Sequence, residues 1–221
     1  MNRHDLLWIR SERIQSVIAQ CSDIEIRQHL ATWLIAGRPL VVACQSHGTS
    51  SRRADEIAVG LALPPLQGKH RIPLTVTMAG IARNAMPLLL SDVVTDAPEG
   101  WQAALRELDA GAKRIGVELR VYGSLAWQAL SGLTYLTSQS DIDLLWHPRS
   151  SGQLQQGIAL LADWEHSSGL RADGEVFFSN GDAVSWRELA TTRWNSGQRV
   201  LVKRLRGAEL VDGSALLKAL A

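Results

Sequence analysis

At 221 residues the chain is long enough for one large domain or two small ones, and 46% hydrophobic with 20% charged residues excludes a disordered or low-complexity protein. The 23 basic and 22 acidic residues leave a formal charge of +1, so no global field exists for gripping nucleic acid or an anionic membrane. No apolar run reaches the roughly 18 residues of a membrane span. The opening Met1-Asn2-Arg3-His4-Asp5 has neither the basic region nor the apolar core of a secretory signal. Cys21 and Cys44 show no metal-ligand spacing, and both are expected as buried thiols in a reducing cytoplasm.

In chain order, residues 12–36 carry Ile14, Val17, Ile18, Ile26, Leu30, Trp33 and Leu34 at helical spacing, broken by Gly37 and Pro39. Leu40 to Cys44 reads as a buried strand, and Gln45 to Arg53 as a polar loop or lid. An apolar segment (Ile57 to Leu63), the turn Pro64-Pro65, the basic cluster Gly68-Lys69-His70-Arg71 and a strand over Ile72 to Val76 follow. Pro98 and Gly100 mark the segment 94–100 as a hinge, giving an N-terminal α/β domain over 1–95 and a second domain over 96–221. There, Trp101, Leu105, Leu108, Ala112 and Ile115 predict an amphipathic helix closing at Gly116. A strand over Val117 to Tyr122 enters Gly123-Ser124 and an apolar helix ended by Gly132. Asp141 to Trp146 is a further strand, and Leu154, Ile158, Leu161 and Trp164 describe a helix ending near Gly169. Leu170 to Phe178 and Ala183 to Trp186 flank Asn180-Gly181, a strong hairpin signal. The tail, Val200 to Leu205 and Leu216 to Leu220, reads as a last strand or helix. The whole is α+β: a mixed sheet over Val117–Tyr122, Asp141–Trp146 and Leu170–Phe178, with helices on one face.

The chemistry centres on Asp141-Ile142-Asp143. Strand period is two, so both carboxylates project from one face, roughly 6 to 7 Å apart, while Ile142, Leu144 and Trp146 point to a core. Such a pair occurs on solvated strand edges, yet its mutual repulsion is best relieved by a cation. Oxygen-only ligands favour Mg²⁺ or Mn²⁺. Gly123-Ser124, where a strand ends and a helix begins, presents backbone N–H groups and the positive end of the helix dipole to an anion. Glycine allows close approach there, and the serine is expected to cap the helix. The six histidines show no ligand spacing and complete no Ser-His-Asp set.

Strand, Gly-Ser, helix, then Asp-x-Asp resembles the nucleotidyltransferase superfamily related to DNA polymerase β, whose members add a third acid on a later strand. The sixteen-residue gap from Ser124 to Asp141 is long for it and brings the loop 131–140 towards the site. A closer resemblance runs through Arg3-His4-Asp5-Leu6-Leu7-Trp8, Val59-Gly60-Leu61-Ala62-Leu63-Pro64-Pro65, Val121-Tyr122-Gly123-Ser124-Leu125-Ala126-Trp127, Ser140-Asp141-Ile142-Asp143-Leu144-Leu145-Trp146, Arg171-Ala172-Asp173-Gly174-Glu175-Val176 and Ser185-Trp186-Arg187-Glu188-Leu189. These strings resemble malonate decarboxylase holo-acyl-carrier-protein synthase, a phosphoribosyl-dephospho-CoA transferase. The resemblance implies a donor, triphosphoribosyl-dephospho-CoA, and an acceptor serine on the apo acyl-carrier subunit of malonate decarboxylase, with diphosphate leaving. It also implies an Mg²⁺ (or Mn²⁺) site on Asp141, Asp143 and a third acid, and a nucleotidyltransferase-like fold. The 1–95 domain would then bind donor or carrier. No nucleic acid or membrane partner is implied, and the setting is cytoplasmic.

The third acid stays open between Glu175, deeper in its strand, and Asp173, before Gly174. Leaving phosphates would be held by Gly123 and Ser124, with Lys203, Lys69 and Arg71 as basic candidates. The alternatives are a nucleotidyltransferase using ATP or another nucleoside triphosphate, and a docking module of the same fold.

Overall fold

Asp23 splits the first helical stretch in two. Its side chain accepts the Ile26 N–H at 2.9 Å as an N-cap, so α1 (Ile14–Ile18) and α2 (Ile24–Ile35) are separate helices. They lie with five antiparallel strands, β1 (Leu6–Ile9), β2 (Leu40–Val42), β3 (Glu56–Ala62), β4 (Arg71–Thr77) and β5 (Ile81–Ala85), in the sheet order β4-β3-β2-β1-β5. The register sets Val59 opposite Leu74 and Leu61 opposite Ile72, so these alternating positions share one buried face.

The computed structural model describes residues 1–45, 54–68, 70–194, 197–218 and 220. Residues 46–53 of the expected Gln45–Arg53 loop, and Lys69, lie outside them. The chain divides into two units, Met1–Pro87 with Leu205–Gly207, and Leu88–Arg204 with Ala208–Ala221. The division therefore falls ahead of the segment 94–100. Val93, Val94 and Ala97 are buried in the core of the second unit, which makes the expected hinge a packed turn.

The second unit holds β6 (Leu88–Leu89), α3 (Leu90–Val93), α4 (Glu99–Arg114), β7 (Arg120–Val121), α5 (Gly123–Ser131), β8 (Ile142–Trp146), α6 (Ser151–Ser168) and β9 (Ala172–Phe177). After these come β10 (Ala183–Ser185), α7 (Trp186–Thr191), β11 (Arg199–Arg204), β12 (Gly207–Asp212) and α8 (Gly213–Lys218). The sheet order is β12-β11-β10-β9-β8-β7-β6. It is mixed, because β8 and β9 are parallel and joined through α6, whereas β7–β8 and β9–β10 are antiparallel. The fold is α+β. Ile142, Leu144, Trp146, Ala172 and Val176 share a core with Leu105 and Leu108 of α4 and Leu154 and Leu161 of α6, so that face of the sheet is covered by helices. Gly157 lets α6 close on β8: a Cβ there would stand 2.3 Å from the Trp146 ring. As expected, α5 and α6 end at left-handed glycines, Gly132 and Gly169.

Candidate active site

The sheet face away from the α4/α6 core carries the chemistry. On β8 the core takes Ile142 and Leu144, leaving Asp143 and Leu145 on the other side, with Asp141 just before the strand. On β9 the same alternation puts Asp173, Glu175 and Phe177 on that face. Parallel register sets Asp143 opposite Asp173 and Leu145 opposite Glu175. Across β10, Ser185 stands opposite Glu175 and Ala183 opposite Phe177, and on β11 Lys203 stands opposite Ala183. Four acids and one lysine thus come from residues scattered between 141 and 203.

The N-terminus of α5 meets this face at Asp143. Gly123 has φ +63°, and a Cβ built on it would lie 1.8 Å from Asp143 Oδ2 and 2.6 Å from Cγ. The carboxylate therefore packs against the first residue of the helix, in space that only glycine leaves open. Ser124 does not cap this helix. The helix begins one residue earlier, and the N-cap position falls to extended Tyr122, which makes no side-chain cap hydrogen bond. An anion drawn to these N–H groups would sit beside the Asp143 carboxylate, an arrangement that needs a cation between the two.

Asp141 reaches the face from a loop that Gln128 fastens. Its Oε1 accepts from the Tyr135 and Leu136 N–H groups at 3.0 and 3.1 Å, and Tyr135 stacks on Trp127 with centroids 6.4 Å apart. Thr137 and Ser140 then close a turn through three mutual hydrogen bonds, of 2.9, 3.0 and 3.2 Å. The exposed Arg171 side chain brings its Nε to 3.2 Å from Asp141 Oδ1 as an ion pair. It lies outside hydrogen-bond geometry, and Oδ1 is buried with no hydrogen-bond partner among the described residues. A buried acceptor in that state is satisfied by a hard cation at modest cost, so Asp141 and Asp143 suit Mg²⁺ or Mn²⁺, which need only one or two protein carboxylates beside substrate phosphates.

The three-acid set of Asp141, Asp143 and Glu175 is not assembled: among the described residues no three acidic, histidine or cysteine side chains form a metal-holding group. Glu175 stands opposite Leu145, two positions past the level of Asp143, and its Oε1 accepts from Lys203 Nζ at 2.8 Å. Asp173 is the acid directly opposite Asp143, exposed, with Oδ1 accepting the Gly174 N–H at 2.8 Å. Of the basic candidates, Lys203 is on this face, and Arg71 is exposed on β4 of the first unit.

Sequence reading missed three residues that tie the start of β9 to α6 and α7. Glu165 on α6 accepts the Ala172 N–H at 2.6 Å, while Trp186 Nε1 and Arg187 Nη2 on α7 donate to the Ala172 carbonyl at 3.1 and 2.9 Å. Side chains thereby satisfy the backbone where β10 no longer runs alongside. Their signal, a polar residue on an apolar helix, is too common to have marked them.

A family model described as the phosphoribosyl-dephospho-CoA transferase MdcG C-terminal domain matches residues 88–214, and the N-terminal domain of the same family matches residues 2–87. This chain belongs to the phosphoribosyl-dephospho-CoA transferase family. The chain is 40% identical to the phosphoribosyl-dephospho-CoA transferase of Xanthomonas campestris pv. campestris strain 8004, covering 97% of this chain and 95% of that protein. It is 35% identical to that of Bradyrhizobium diazoefficiens (95% and 89% covered) and 31% identical to that of Azotobacter vinelandii (94% and 91%). No solved structure shows a significant match. Among the described residues no helix is long and apolar enough to cross a membrane.

Proposed function

We propose that this transferase moves phosphoribosyl-dephospho-CoA from triphosphoribosyl-dephospho-CoA to a serine of the apo acyl-carrier subunit of malonate decarboxylase, with release of diphosphate. It is a metal-dependent transfer of nucleotidyltransferase type. The observation that carries the reading is the Asp143 carboxylate seated against Gly123 at the start of α5. It brings the N-terminus of a helix, which can bind an anion, against one of two neighbouring acids, and so supports the reading.

In the reaction the serine Oγ bonds to the α-phosphorus as the bond from that phosphorus to the diphosphate oxygen breaks. Such transfers depend on alignment and charge neutralisation more than on covalent help. The α5 N–H groups, with Gly123 and Ser124, hold phosphate oxygens, and Lys203 offsets charge on the departing diphosphate. Asp173, exposed and opposite Asp143, takes the serine proton. Asp141 and Asp143 would hold Mg²⁺ or Mn²⁺, which when bound supplies charge neutralisation between the acids and the phosphates.

The test is intact-mass spectrometry of the apo carrier incubated with protein, Mg²⁺ and triphosphoribosyl-dephospho-CoA. Addition of the phosphoribosyl-dephospho-CoA mass is expected, with none when the acceptor serine is replaced or EDTA is added. A carrier that gains a nucleotide from ATP, and nothing from the CoA-derived donor, overturns the assignment of donor.

A further inference from the structure

Glu175 is 3% exposed, and a carboxylate that deeply buried persists only when it is paired. Its partner is the Lys203 ammonium, 2.8 Å away, whose side chain remains 36% exposed. Of three N–H donors on that ammonium one goes to Glu175, and the partly exposed head keeps donors for a ligand. Lys203 stands on the face that carries Asp143 and Asp173, reached diagonally across β10 from Glu175. A lysine stem is flexible and its ammonium is a point charge, so without a fixed counter-group its position on an open sheet face is spread over many rotamers. A buried carboxylate on the central strand removes that freedom.

We infer that Glu175 is a positioning residue that holds the Lys203 ammonium for the donor's phosphates, and that it is not a metal ligand. This rests on the transferase reading above. It assigns the acid deepest in β9 to charge placement and leaves the metal to Asp141 and Asp143. The register supports the division, since Asp173 faces Asp143 and Glu175 faces Leu145.

Two measurements test it. The first is Mn²⁺ binding to the donor-free protein, read from the electron paramagnetic resonance signal of free Mn²⁺. Glu175→Gln should bind Mn²⁺ like the parent, whereas Asp141→Asn should bind it more weakly. The second is the donor KM. Glu175→Gln and Lys203→Met should each raise it on the order of tenfold, as expected for a lost charge-assisted contact. The double variant should be no worse than Lys203→Met alone, because one residue acts through the other. Lys203→Met strands a buried carboxylate, so its melting temperature should fall and recover in the double variant. Lys203→Arg keeps the charge and should recover part of the donor KM even if Lys203→Met folds poorly. Mn²⁺ binding weakened by Glu175→Gln as much as by Asp141→Asn overturns the inference, as do additive effects on KM. If Asp141→Asn leaves Mn²⁺ binding unchanged, the metal reading fails instead, and the KM cycle still decides the role of Glu175.

Discussion

Gly123→Ala tests the junction between helix and acid most directly. At φ +63° a non-glycine residue costs roughly 1–2 kcal/mol of backbone strain. The new methyl would also lie 1.8 Å from Asp143 Oδ2, and reaching the 3.0 Å that real contacts tolerate needs a carboxylate shift of about 1.2 Å. A displacement of that size at a reacting centre costs about 10²-fold in rate, or about 2.7 kcal/mol of transition-state stabilisation. Gly132→Ala is the matched control. It sits at the other end of α5 with φ +71° and nothing within 4 Å of the built Cβ. Both variants should lose about 1–2 kcal/mol of stability, a fall in melting temperature of about 2–8 °C, while only Gly123→Ala loses turnover. Thermal unfolding by fluorescence, with initial rates from intact-mass spectrometry of the carrier, measures both quantities. Near-parent rates in Gly123→Ala, or equal rate loss in the control, would refute the role given to this contact.

Asp141→Asn and Asp143→Asn should each lower turnover at least about 10²-fold and leave the metal-free melting temperature unchanged or slightly higher, since each relieves a like-charge pair. A large destabilisation in both would mark the acids as structural. Arg204→Ala removes the guanidinium that donates from Nε to Asp182 Oδ1 at 2.5 Å, a bond that also raises the arginine pKa above its ordinary value. Asp182 is buried while Arg204 is half exposed, so the expected loss is about 1–3 kcal/mol, below that of a fully buried pair, with carrier modification retained at moderate temperature. Equilibrium urea unfolding reads it. Hydrogen bonds from Ser214, the side chain foremost, depress the Asp212 pKa. Its small contribution to stability is therefore present above the ordinary carboxylate pKa and lost as pH falls through the depressed one. Asp212→Asn should lose that small contribution at neutral pH, converge with the parent at the acid end, and so flatten that part of the stability–pH curve.

Local signals carried the second unit well. Asn180-Gly181 lies in the 178–182 connection between β9 and β10, closed by Phe178 N–H donating to the Asp182 carbonyl at 2.8 Å, as a hairpin signal requires. Gly132 and Gly169 stop α5 and α6 where expected, and the alternation through Ile142-Asp143-Leu144 gave the core face without ambiguity. The first unit was harder to read. β1 and β5 pair with each other and are only four and five residues long, and β5, Ile81-Ala82-Arg83-Asn84-Ala85, has no apolar–polar alternation to betray a strand. The Arg83 guanidinium lies 3.7 Å from the centroid of the Trp8 ring, a contact between residues far apart in sequence. The 117–122 strand is confined to Arg120–Val121, opposite a β6 only two residues long that turns into α3 at Leu90, a turn that composition does not show.

The third acid shows where legibility ends. Alternation along 171–177 puts Asp173 and Glu175 on the same face and cannot rank them, because either carboxylate is equally polar in the sequence. In the inference above they are separated by two long-range observations: the parallel register that sets Asp173 level with Asp143, and the lysine 28 residues along the chain that reaches Glu175. The second depends on the β9–β10 hairpin and on the register in which β11 joins it, since a one-residue slip of β11 would turn Lys203 to the opposite face. On the inference drawn above, depth in the strand turns Glu175 from a metal ligand into an anchor for Lys203. A carboxylate that deep must be neutralised in the resting protein, and the chain supplies an ammonium for the purpose. Asp173, at the exposed end of the same strand, is not buried and needs no such partner, which is why the proposed reaction gives it the serine proton.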